Sequence, residues 1–150
     1  MNRLIGVLRL ARLVAHCLKG FCTLWLVFPK LSLAQREKKV AAWAQGVLAR
    51  LNVDLRVVGQ PGANGAVMLV ANHSSWLDIA AIHARIFSHF VAKHELRHWP
   101  AIGLMAARSG TLFLERLSSR DAFRVVHQIA KCLRDGEVVA LFPEGTTGKP

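Results

Sequence analysis

Acidic residues are scarce in this chain: nine aspartates and glutamates face 20 lysines and arginines in 150 residues, a formal charge of +11. That deficit points to an anionic partner, whether nucleic acid, an anionic membrane surface or a phosphorylated small molecule, and charge alone does not choose among them. Cysteines are few as well. Cys17, Cys22 and Cys132 are odd in number and lack metal-ligand spacing, so they are read as reduced thiols in a cytoplasmic setting. No long apolar run is present. Gly20–Pro29 is the uninterrupted stretch, and a full bilayer span needs about 20 residues. No small-residue cleavage site follows it, which argues against a secretory signal peptide. Internal repeats and low-complexity linkers are also missing, and 53% hydrophobic content suffices for one domain with a real core.

Residues 1–51 read as a helical, membrane-associated segment. Arg9, Arg12, His16 and Lys19 recur at steps of three and four, so on a helix they share an arc of about 80° while the remainder is greasy. Such a helix is expected to lie in the headgroup region, cations on anionic lipid and Leu, Ile and Val in the acyl boundary. A tilted span and a soluble helix packed on the domain are the alternatives. Ala34–Leu51 continues as an amphipathic helix with Val40, Trp43, Val47, Leu48 and Leu51 on one side.

Residues 52–150 alternate strand and helix. Strands are expected at Val53–Val58, at Ala66–Ala71 as a run covered on both faces, at Phe90–Ala92, at Thr111–Leu114 and at Val138–Phe142. Helices are expected after His73 to about Phe87, over Pro100–Arg108, and after a Ser118 or Ser119 cap. The last of these should bury Ala122, Val125, Val126, Ile129, Ala130 and Leu133 and stop at Gly136. The alternation predicts an α/β domain with a mostly parallel sheet flanked by helices. Ligands of such sheets gather at the carboxyl ends of strands, where His73, Lys93, Glu115 with Arg116, and Glu144 with Gly145 and Thr146 all fall.

The segment Asn72-His73-Ser74-Ser75-Trp76-Leu77-Asp78 carries the sharpest chemistry. On one unbroken helix His73 and Asp78 would stand about 140° apart. His73 must therefore precede the helix, with Ser74 or Ser75 as its cap and Asp78 in the first turn, so that the loop folds the ring back onto the carboxylate. The arrangement suits a base held by an orienting acid. A second pattern, His94-Glu95-Leu96-Arg97-His98, spells the zinc-protease H-E-x-x-H, but Trp99 precedes Pro100 and is pushed away from helical angles, cutting such a helix short.

Four blocks in order resemble the glycerolipid acyltransferase family, and most closely the bacterial 1-acyl-sn-glycerol-3-phosphate acyltransferases. They are N-H-x-x-x-x-D at 72–78, F-V-A-K-x-E-L at 90–96, G-T-L-F-L-E-R at 110–116 with Glu115 where Asp is more usual, and F-P-E-G-T at 142–146. The resemblance implies that His73 is the general base, Asp78 its orienting acid, and Arg116 the phosphate ligand. It implies that Glu144, Gly145 and Thr146 shape the acceptor site, or else form a tight structural turn. Lys93 either assists phosphate or coenzyme binding or is an ordinary surface lysine. It further implies transfer of a fatty acyl group from acyl-CoA or acyl carrier protein to lysophosphatidate, with no metal and no cofactor, at the cytoplasmic face of the inner membrane. Another lysolipid such as lyso-ornithine lipid is the rival acceptor, and a non-catalytic cationic membrane-binding protein the rival class. Nucleic acid is not expected as a partner. Family members continue past F-P-E-G-T with further strands, so the C-terminal part of the fold is expected to be absent from a chain ending at Pro150.

Overall fold

The computed structural model describes residues 2–60, 66–115 and 119–145. Two compact units emerge: Met1–Val57 with Ile79–Phe87, and Val58–Asp78 with Ser88–Pro150.

The first unit is helical. Helix α1 (Asn2–Leu26) and helix α2 (Leu33–Arg50) pack on each other, and the end of helix α3 (Leu77–Arg85) joins them, with Gln45 Nε2 donating to the Ala84 carbonyl at 3.0 Å. Helix α2 starts one residue earlier than its apolar pattern predicts, because Ser32 and Gln35 close a reciprocal capping box that satisfies two amides. Val40, Ala44, Val47 and Leu48 are buried in this unit with Leu24 and Phe28. Two glycines admit rings at the α1–α2 contact. A Cβ on Gly20 would run into the Trp43 indole, and one on Gly46 would lie 2.6 Å from the His16 imidazole. His16 stacks on Trp43 and donates through Nε2 to its carbonyl at 2.9 Å.

That contact takes His16 out of the expected basic stripe. The ring turns toward α2, while Arg9, Arg12 and Lys19 stay exposed, Arg9 and Arg12 beside a hollow lined by Ala49, Arg50 and Asn52. An apolar face is exposed as well. Leu4, Val7, Leu8, Leu10, Val14, Leu18, Trp25 and Leu26 are exposed and fall within about 160° of arc at helical periodicity. From Leu4 onward that arc holds no charged residue, and Arg12 and Lys19 border it. Among the described residues no helix is long and apolar enough to cross a membrane.

In the second unit, strands β1 (Val67–Val70), β2 (His89–Lys93), β3 (Leu112–Leu114) and β4 (Val138–Leu141) form a sheet of order β1-β4-β2-β3, parallel throughout. The connections run through α3, helix α4 (Ile102–Arg108) and helix α5 (Ser119–Arg134), the last packed on β3 and β4. Phe90, Phe113, Val125, Val139, Ala140 and Phe142 make the core. The parallel α/β architecture is therefore as expected, with three local corrections. Val53–Val58 is not a strand; Val58 is 86% exposed and the segment pairs with none of the described strands, so no buried face rewards its alternation. Strand β1 is an edge strand with Met68 and Val70 exposed, not a strand covered on both faces. Helix α5 buries a narrower stripe than predicted: Val125 is buried and Ile129, Ala130 and Leu133 are half-buried, but Ala122 and Val126 are exposed.

Candidate active site

Strand β1 ends at Val70, and the chain then turns through Ser75 and Trp76 into α3. The Ser75 hydroxyl accepts the Leu77 amide at 3.1 Å, satisfying a donor at the helix start. Asp78, in the first turn, points back over the loop. Its Oδ2 receives three donors: His73 Nδ1 at 3.0 Å, the Ser74 amide at 2.7 Å and the Ser75 amide at 2.8 Å. The Ser74 hydroxyl reaches Oδ1 at 3.4 Å. Partial burial pushes the Asp78 carboxyl up, but the Ser75 amide, the His73 ring and the Ser74 amide together outweigh it and hold the group below the usual carboxylate range.

A carboxylate only accepts, so it fixes Nδ1 as the protonated ring nitrogen and leaves the lone pair on Nε2. The ring plane is set by stacking on Phe142, 4.2 Å between centroids, and Phe142 in turn stacks on Phe90 at 5.7 Å. The His73 and Asp78 side chains are 16% and 24% exposed, enough to meet a substrate and little enough to keep their geometry. The unit can thus remove a proton from a hydroxyl presented to Nε2 and stabilise the imidazolium that forms.

Pro143 and Glu144 occupy the turn after β4, closed by the Gly145 amide donating to the Phe142 carbonyl at 3.0 Å; Gly145 has φ +61°, the left-handed region that favours glycine. Glu144 is exposed, as is Lys93 at the end of β2. These residues follow the ends of neighbouring parallel strands, on the edge of the sheet that carries His73. Arg116 and Thr146 lie outside the described residues.

Two contributors were not picked out from sequence. Phe142 is the platform under His73, and its only signal is membership of the F-P-E-G-T block. Asp121, in the first turn of α5, accepts the Glu115 amide at 2.8 Å and pairs with Arg124 Nε at 2.7 Å, while Arg124 also donates to the Phe113 carbonyl at 3.2 Å. This clip fixes the backbone leaving β3. The His94–His98 segment is a 3-10 helix followed by an extended Trp99, so it lacks the α-helical turn that H-E-x-x-H requires.

The model of the family described as Acyltransferase matches residues 50–150. The chain belongs to the acyltransferase family. It is 40% identical over 114 residues to a 1-acyl-sn-glycerol-3-phosphate acyltransferase of Neisseria gonorrhoeae, covering 75% of this chain and 44% of that protein. It is 37% identical over 117 residues to a lyso-ornithine lipid O-acyltransferase of Rhizobium meliloti, covering 78% of this chain and 40% of that one. The chain thus spans less than half the length of these curated relatives. Its fold resembles the crystal structure of the 1-acyl-sn-glycerophosphate (LPA) acyltransferase from Thermotoga maritima, with a TM-score of 0.66 at 21% identity over 93% of this chain and 64% of that one.

Proposed function

We propose that this acyltransferase transfers a fatty acyl group from acyl-CoA or acyl carrier protein to the free hydroxyl of lysophosphatidate, forming phosphatidate. The observation that carries the reading is the His73 ring committed through Nδ1 to Asp78 at 3.0 Å. Nε2 takes the proton of the acceptor hydroxyl as its oxygen attacks the thioester carbonyl. The tetrahedral intermediate then expels the thiolate, which recovers the proton from the imidazolium. The reading calls for no cofactor or metal at this step, because the thioester supplies the activated acyl group and one histidine handles the one proton. Arg116 is assigned to the acceptor phosphate, which a planar guanidinium can grip through two oxygens. Glu144, Gly145 and Thr146 are assigned to the acceptor site, and Lys93 to phosphate or coenzyme. The exposed apolar face of α1, bordered by Arg12 and Lys19, supports attachment to an anionic lipid surface, here the cytoplasmic face of the cell membrane.

The second acceptor, lyso-ornithine lipid, is favoured by the relatives that bear its name. The test offers both acceptors in vesicles with labelled acyl-CoA. Phosphatidate formation that falls ~10²- to 10⁴-fold in His73→Ala is the expected result. Full transfer by His73→Ala overturns the mechanism, acylation confined to lyso-ornithine lipid overturns the acceptor, and vesicle binding without turnover of either overturns the enzyme.

A further inference from the structure

At the β3 edge of the sheet, opposite the β1 edge, lies a hollow of about 250 Å³. Its polar wall comes from three segments: His94 and Arg97 of the 3-10 helix after β2, Thr111 at the entry to β3, and Arg124 and Gln128 of α5. Two guanidiniums meet there at one residue, Phe113. Arg97 lies over the Phe113 ring, 6.0 Å from its centroid, and Arg124 Nη2 donates to the Phe113 carbonyl at 3.2 Å. Arg124 also commits Nε to Asp121 at 2.7 Å, whereas Arg97 makes no hydrogen bond or ion pair with any described residue. An aromatic face holds a guanidinium without engaging its N–H groups, so all five donors of Arg97 are left for a ligand. The Thr111 hydroxyl and the Gln128 amide group are likewise unpaired among the described residues, and no carboxylate is among those lining the hollow.

The backbone that presents Arg97 is strained. Ala101 has φ +59° and ψ −51°, and the Ile102 amide closes onto the Pro100 carbonyl at 2.6 Å, a γ-turn of the rarer hand. Such a conformation persists only where its surroundings hold it, and it gathers at ligand sites. Here the hold is close packing: a Cβ on Gly103 would run into the Arg97 carbonyl, so glycine lets α4 close directly on the segment that carries the guanidinium. Cations gathered without an acid repel one another, and an anion seated between them reverses the sign of that interaction. Phosphate fits best, because its several oxygens accept the paired N–H bonds of a guanidinium and still leave acceptors for a hydroxyl and an amide.

We propose that this hollow binds the phosphate at the end of the pantetheine arm, the group that acyl-CoA and acyl carrier protein share. The identity of the ligand rests on the acyl-transfer reading, and the width of the sheet supplies the measure. His73 follows β1, and β3 stands three strands away, about 14 Å at a spacing of ~4.8 Å. From the thioester sulfur to phosphorus the arm has about thirteen bonds, and three extended bonds span ~3.6 Å, so the arm reaches ~15 Å. A thioester carbonyl beside His73 Nε2 therefore puts its phosphate at the far edge strand. Arg97 grips two phosphate oxygens, and Thr111 and Gln128 donate to the others. The site is separate from the acceptor phosphate, which is assigned to Arg116, so donor and acceptor are held by different cations.

Calorimetric titration of the full chain with coenzyme A, phosphopantetheine and pantetheine tests the hollow without turnover. The two phosphorylated ligands should bind about tenfold tighter than pantetheine or better. Arg97→Gln and Gln128→Glu, the second of which sets an acid among the donors, should each erase that difference, with unchanged melting curves verifying the fold. Arg134→Gln, at an exposed position of α5 outside the hollow, should preserve it. In transfer assays Arg97→Gln should raise KM for acyl-CoA and for acyl carrier protein alike by about tenfold, with kcat and the KM for lysophosphatidate unchanged. Equal binding of phosphopantetheine and pantetheine, a difference that survives both Arg97→Gln and Gln128→Glu, or one lost with Arg134→Gln overturns the site. A KM rise confined to acyl-CoA moves the contact to the nucleotide, and a rise for lysophosphatidate moves it to the acceptor; either overturns the assignment. Phosphate-dependent binding without acylation of either lysolipid refutes the acyl-transfer reading and leaves the hollow standing.

Discussion

Replacing Asp78 by asparagine separates charge from geometry at the dyad. All three strong donors converge on Oδ2, so an asparagine that places its carbonyl oxygen there keeps the His73, Ser74 and Ser75 bonds. Its amide nitrogen takes the place of Oδ1, where the Ser74 hydroxyl can rotate from donor to acceptor. The ring therefore keeps its tautomer, and only the negative charge opposite the developing imidazolium is lost. Unit charges about 4 Å apart attract by roughly 4 kcal/mol at an effective dielectric of 20. Solvent screening at a carboxylate 24% exposed trims that to about 2 to 3 kcal/mol. At about 1.4 kcal/mol per decade this is a loss of roughly 30- to 150-fold in kcat, with KM little changed. Asp78→Ala should lose more, because it also frees the ring and strands the Ser74 and Ser75 amides. The assay is steady-state acyl transfer to lysophosphatidate in vesicles. Asp78→Asn with more than half of the parent kcat would show that the charge is idle, and activity equal to Asp78→Ala would show that holding the ring adds nothing beyond the charge.

The same carboxylate makes stability depend on pH. Its folded-state pKa lies below the unfolded value of about 4, so its contribution is complete above that value and is lost as pH falls through the folded one. The urea midpoint should be flat from pH 7 to about 5 and fall below about 4, less steeply in Asp78→Asn; Asp121, lowered by Arg124 and the Glu115 amide, leaves the remaining slope. A fall of equal size in the variant contradicts the assignment. At the helical contact, Gly46→Ala gains about 1 kcal/mol of helix propensity but drives a Cβ to 2.6 Å from the His16 ring, an overpacking cost of about 1 to 3 kcal/mol, so its melting temperature should drop. Gly6→Ala, with nothing within 4 Å, should raise it, and the two variants shifting alike in thermal melts would refute the packing account.

What could be read in advance divides by range along the chain. His73 and Asp78 are five residues apart, and the geometry that joins them follows from where a helix must begin. The apolar runs of β2, β3 and β4 are likewise local signals. Val53–Val58 alternates like a strand, yet pairing needs a neighbour that alternation cannot specify. Strand β1 reads as covered on both faces because an apolar run records composition, whereas cover depends on what packs against each face. The width of the α5 stripe depends on how much sheet lies beneath it, which periodicity does not reveal. Gly20 and Gly46 look like helix weaknesses until Trp43 and His16 are seen filling the space. His89 and Glu137 pair from the start of β2 and the entry to β4, a contact that no local spacing rule specifies.

The bonds that hold the base all lie between His73 and Asp78: a six-residue loop tied shut by its own last carboxylate, with Phe142 supplying the surface beneath. Proton removal in the proposed reaction is in that sense a local circuit, wired without help from the strand ends that are assigned to the acceptor. Under the proposed function, substitutions at those ends retune which lysolipid is taken without disturbing the group that activates it. Reactivity and selectivity can then drift independently, and new acceptors become reachable without rebuilding the base.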